Sequence, residues 1–109
     1  MEDINPNDAV DFLLKNAPAY AKAKAERIYL EQYRKSLKAI LFTKDTSKTV
    51  ADREAASYAH PDYLAVLEGL REAVEMEEKL RWRMVAAEAR IEVWRSQEAS
   101  NRMIDKAFK

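Results

Sequence analysis

From Pro61 almost to the end of the chain, apolar residues recur at alternating steps of three and four. Tyr63, Val66, Leu70, Ala73, Glu77, Leu80, Met84, Ala87, Ile91 and Trp94 make ten consecutive positions, nine of them apolar. That spacing keeps one stripe on one face of a helix and approaches the coiled-coil repeat. A single helix over about 61–106 would extend about 70 Å, against a radius of gyration of about 13 Å for a compact domain of this size.

A second strong pattern lies upstream. Pro18 to Lys44 is built from alanine, lysine, glutamate, leucine and arginine, all good helix formers. Leu30, Tyr33, Leu37 and Ile40 form its stripe, widened by Tyr29 and Leu41. A short helix over about 6–16 precedes it, capped by Asn5, opened by Pro6 and carrying Val10, Leu13 and Leu14. Pro18 either kinks that helix or starts the next. Residues 45–60 are the one real interruption: Thr49 and Asp52 suggest a weak capping box, with a short helix at 50–58. His60 before Pro61 marks a boundary.

The predicted fold is therefore all-α, one domain over 1–109. It is a long antiparallel helical hairpin, coiled-coil-like, with a short amino-terminal helix and a small helical connection. On this reading, helix 18–44 folds back on the first half of helix 61–106. The second half then has no long helix to cover it, and Trp82, Met84, Ile91 and Trp94 are expected to form an interface. A homo-oligomer follows, a dimer or a larger bundle.

Composition supports long elements, since 109 residues hold one glycine and three prolines. With no cysteine, disulfides and thiolate metal sites are excluded. The opening "MEDINPNDAV" has no basic region followed by an apolar run, and no window is apolar enough to span a membrane. A soluble, cytosolic protein is the expectation.

Charge changes the picture further. The chain is neutral, yet residues 1–14 carry −4, 15–48 carry +6, 49–78 carry −6 and 79–109 carry +4. Pairing of the second block with the third in the hairpin accounts for much of this segmentation. Glu77 falls on the apolar seam, where a polar residue sets register, with Arg34 or Lys38 as its expected mate.

Candidate chemistry is sparse. His60, the only histidine, cannot complete a usual metal site and is read as a capping or turn residue. Glu72, Glu75, Glu77 and Glu78 lack the histidine of a bundle metal motif and read as a solvated or salt-bridged face. No phosphate-cradling glycine loop and no nucleophile–base grouping can be assembled, so no enzyme, metal or cofactor is expected. Basic residues near aromatic ones can contact phosphates and stack on bases, single strands above all. Arg34, Lys35, Lys38, Arg83, Arg90 and Arg95 are the candidates for such contact, with Trp82 as a stacker. Interleaved acids favour the plainer reading of solvated faces.

The stretches "AKAERIYLEQYRKSLKAILF" and "HPDYLAVLEGLREAVEMEEKLRWRMVAAEARIEVWRSQEASNR" resemble small helical proteins encoded by phages and prophages of proteobacteria, over most of residues 10–102. Such genes are often associated with phage recombination functions. The resemblance implies a non-enzymatic accessory role in DNA recombination or replication, through DNA or a DNA-bound recombination protein. The competing expectation is a protein-directed inhibitor or adaptor, acting on a host defence or nuclease complex through an exposed apolar seam.

Overall fold

A computed structural model describes residues 5–108. Three helices account for nearly all of them: α1 (Pro6–Lys44), α2 (Val50–Ala59) and α3 (Pro61–Ala107), an all-α helical hairpin. None of the described helices is long and apolar enough to cross a membrane.

The expected break at Pro18 is absent: 6–16 and 18–44 are one helix. Proline removes one donor, the N–H that would reach the Leu14 carbonyl. Leu14 is 71% exposed, so water can satisfy that carbonyl. Helical hydrogen bonding on either side carries the chain through. At the start, Asn5 Oδ1 accepts from Asn7 N at 2.9 Å and from Asp8 N at 3.4 Å, the expected cap.

The helices divide into two compact units. The first is Ala21–Glu77, the central unit. Here Leu37 and Leu41 of α1 meet Tyr63 of α3 in a core flanked by Val66 and Leu67. Farther back along α1, Leu30 lies against Gly69, and Arg27 reaches Glu77. Falling numbers on α1 meet rising numbers on α3, so the pair is antiparallel. The inward line of α1 runs through Ala23, Arg27, Leu30, Arg34, Leu37 and Leu41. Tyr29, Tyr33 and Ile40, expected on the stripe, are exposed instead. The physical reason is that two arginines, Arg27 and Arg34, occupy half-buried inward positions, and Arg27 pairs its charge with the buried Glu77. A search for apolar residues alone therefore slides one position to the side.

The second unit comprises the described residues through Tyr20 together with those from Glu78 onward. Ala9 and Ala87 are buried at 5% and 6% exposure, and both line one cleft with Phe12 and Ala86. Leu13 and Asn16 continue the inward line, whereas Val10 and Leu14, assigned to it from sequence, are exposed. The Asn16 amide donates to the Phe12 carbonyl at 2.9 Å, which satisfies a polar seam residue locally. This unit corrects the expectation of an uncovered second half of α3. Because α1 is unbroken at Pro18, its first turns lie along α3 and cover the seam around Ala87. Every one of the ten seam positions from Tyr63 to Trp94 is buried or half-buried.

The connection forms as its cap residues suggest. Thr49 is extended, with φ −104° and ψ 150°, and its hydroxyl accepts from Asp52 N at 3.0 Å. Asp45 accepts from Ser47 N at 2.8 Å, and Arg53 Nε donates to the Ser47 carbonyl at 2.6 Å, tying α2 back to the loop. Ser47's hydrogen bonds, from its side chain and then its backbone, hold the Asp45 carboxyl below its usual range. His60 caps α3, its Nδ1 accepting from Asp62 N at 3.0 Å.

Candidate functional site

Three of the six basic candidates belong to the central unit, where they share one concavity. Arg34, Lys35 and Lys38 line a cleft of about 330 Å³ with Tyr58 and Tyr63. The three bases lie within five residues of α1, so one helical turn presents them together. The tyrosines arrive from α2 and α3. Their rings meet edge to face, with centroids 5.4 Å apart, Tyr63 buried and Tyr58 43% exposed. Tyr58 thus presents a supported aromatic surface at the cleft.

The three cations differ in their surroundings. Lys38 Nζ donates to Glu54 at 3.1 Å and to the Tyr58 hydroxyl, and lies 4.2 Å from the centre of the Tyr58 ring. The hydroxyl contact, followed by that to Glu54, raises the Lys38 ammonium above its ordinary pKa. Among the described residues, neither Arg34 nor Lys35 is in an ion pair. Arg34 is half-buried on the inward line and Lys35 is exposed. One matched cation and two unmatched ones around a tyrosine pair form a site that favours an anion.

Arg83 and Arg90 belong to the other unit, where they line the cleft shared by Asp8, Phe12 and Ala86. Arg95 points into solvent and pairs with Glu92 at 3.2 Å. The six candidates therefore divide between the two units: the first sets three cations beside two tyrosines, whereas in the second Arg83 and Arg90 share their cleft with Phe12 and the acidic Asp8.

The interface candidates also separate. Met84, Ile91 and Trp94 are half-buried on the inward seam, and Trp82 alone is exposed, at 57%. The guanidinium of Arg81 lies 5.0 Å from the centre of the Trp82 ring and also bonds to Glu78.

Glu77 is buried at 6% exposure, and its mate is Arg27, not Arg34 or Lys38. Arg27 Nε and Nη2 grip the two carboxylate oxygens, the second at 3.2 Å, while Nη1 reaches Glu31 at 3.0 Å. Hydrogen bonds first to Glu77 and then to Glu31 raise the guanidinium's pKa further still. All three arginine nitrogens are matched by acceptors, so this grouping fixes register and has no capacity left for a ligand. Among the described residues, no group of three or more His, Cys, Asp or Glu side chains could hold a metal ion.

Sequence reasoning missed Tyr58, Tyr63 and Glu54 as partners of the basic cluster. Tyr58 and Glu54 lie 20 and 16 residues beyond Lys38, and only the path of the connection brings them back. No family model, curated protein or solved structure matches the chain.

Proposed function

We propose that this protein binds nucleic acid, single strands above all, as a non-enzymatic accessory of phage DNA recombination or replication in the bacterial cytoplasm. The phage setting rests on the resemblance of residues 10–102. The binding rests on one observation: Arg34, Lys35 and Lys38 gather at a single cleft with Tyr58 and Tyr63, and two of the three cations have no carboxylate partner among the described residues. Phosphates neutralise Arg34 and Lys35, and a splayed base stacks on the part of the Tyr58 ring that Lys38 and Tyr63 leave open.

The test is a salt series of binding to a labelled single-stranded oligonucleotide. Affinity falls steeply with salt. Replacing Arg34→Gln together with Lys35→Gln weakens binding and flattens the logarithmic salt dependence by about 1.4, two phosphate contacts at about 0.7 each. Circular dichroism of the variant checks that the helices persist. Absence of binding at low salt, or an unaltered slope in the double variant, refutes the reading.

A further inference from the structure

α3 carries a second stripe on the side away from the seam that α1 covers, with Ala86 at the edge of the cleft that Asp8, Ala9 and Phe12 line. It starts at Trp82 and steps by four and three residues in strict alternation to Ala107, eight positions in all. All eight are exposed and none is charged, in a chain that is 35% charged. The large members, Trp82, Val93 and Met103, are 57%, 41% and 73% exposed. At 1.5 Å per residue the stripe is about 38 Å long. A seven-residue repeat of uncharged positions on a solvent face is the pattern of a helix that meets another helix.

The pattern also says which helix. When the stripe is laid antiparallel on a copy of itself, Trp82 faces Ala107 of the copy and Met103 faces Ala86. Val93 faces Ser96, and Ala89 faces Ser100. Each large side chain meets a small one, as knobs-into-holes packing requires. A shallow depression of about 420 Å³ lined by Val93, Ser96, Gln97 and Ser100 lies at the midpoint, where Val93 of the copy would insert.

The flanks agree. In an antiparallel pair each flank faces its own counterpart. On one flank Arg83 comes opposite Ile104 and Arg90 opposite Gln97. On the other, Glu92 comes opposite Ala99 and Lys106 opposite Val85. No like charges meet, although the chain has 38 charged residues, 19 of each sign. We infer that this face of α3 pairs with a second copy of the chain as a two-fold, antiparallel helix dimer centred between Val93 and Ser96. This dimer face excludes Met84, Ile91 and Trp94, and it stands whether or not the protein binds nucleic acid.

Light scattering and sedimentation over a micromolar concentration series test it. The wild-type chain passes from one-chain to two-chain mass. Ser96→Glu, an exposed helical substitution that sets carboxylates in neighbouring layers of the pair, weakens the dimer about tenfold or more. Arg102→Glu, which lies off the stripe, leaves it unchanged. Orientation is read by cross-linking, because the chain has no native cysteine. Ala89→Cys mixed with Ser100→Cys joins through a short linker, and neither variant joins to itself. A chain that stays monomeric throughout, a dimer indifferent to Ser96→Glu, or self-joining of Ala89→Cys each overturns the proposal.

Discussion

Covering of the α3 seam by the first turns of α1 is a claim that one alanine can test. Ala87 is 6% exposed and lines a cleft with Ala9, itself 5% exposed. Replacing Ala87→Leu adds three carbons at a point where two helices approach over alanine. With α1 packed over Ala87, a leucine there forces the two helices apart, and overpacking costs about 1–3 kcal/mol. If the seam lay open to solvent or to a flexible segment, the same carbons would find apolar neighbours and gain up to about 0.8 kcal/mol each. The two pictures differ in sign. In a chain of this size 1 kcal/mol moves the melting midpoint by about 4–8 °C, so the covered seam predicts a drop of several degrees or more. The assay is thermal denaturation followed by circular dichroism, at one fixed protein concentration because self-association would add its own stabilisation. Glu88→Leu, one residue along on an exposed position, places the same side chain on the surface and shifts stability by no more than about 0.5 kcal/mol. An Ala87→Leu midpoint equal to or above that of the wild type would refute the packing of α1 on this part of α3.

Three further outcomes follow from the same structure. Gly69→Ala stabilises the chain by about 0.5–1 kcal/mol in urea denaturation, because Gly69 lies inside α3 and an added Cβ meets Leu30 Cδ1 at an ordinary 3.8 Å. Pro18→Ala raises stability by about 1–3 kcal/mol by restoring a donor to the Leu14 carbonyl, and a loss in the same measurement would show that α1 depends on the proline. Asp45, depressed by its hydrogen bonds with Ser47, contributes stability above the ordinary aspartate pKa of about 4 and loses it as pH falls through its lower folded value. Asp45→Asn therefore lowers the midpoint at neutral pH and reduces its fall below about pH 4, which melts across that range detect.

Much of this architecture was legible because α3 repeats its apolar positions for ten steps. The connection could be read for a similar reason: Thr49 and His60 act through local backbone bonds that depend only on near neighbours. What was not legible depended on tertiary pairing. Arg27, rather than Arg34 or Lys38, reaches Glu77 because the antiparallel register decides which of several equivalent arginines on one helix line comes opposite. Tyr58 joins Lys38 because the connection carries α2 back beside α1. Pro18 misled because proline usually costs a helix more than it can recover. Here the seam continues through it, and the carbonyl it orphans lies beside the exposed Leu14.

The two stripes of α3 carry the larger lesson. The inner one is conspicuous because it is apolar, yet α1 already covers it, and α1 in turn meets it with Arg27 and Arg34 at inward positions. The outer one is inconspicuous in hydropathy because five of its eight positions are alanine or serine. Small residues bury little area, but they let helices approach closely and so create the holes that Trp82, Val93 and Met103 require. A helix with one apolar face needs one partner, and α1 supplies it. A helix with a second uncharged repeat on its far side has a surface that α1 meets only at its edge, where Ala86 lines the cleft with Ala9 and Phe12. The basic cleft of the central unit lies on residues 34–63, whereas the outer stripe begins at Trp82. Ser96→Glu and the Arg34/Lys35 pair can therefore be combined in one chain, and independent action predicts that loss of dimer and loss of salt-dependent binding add without coupling.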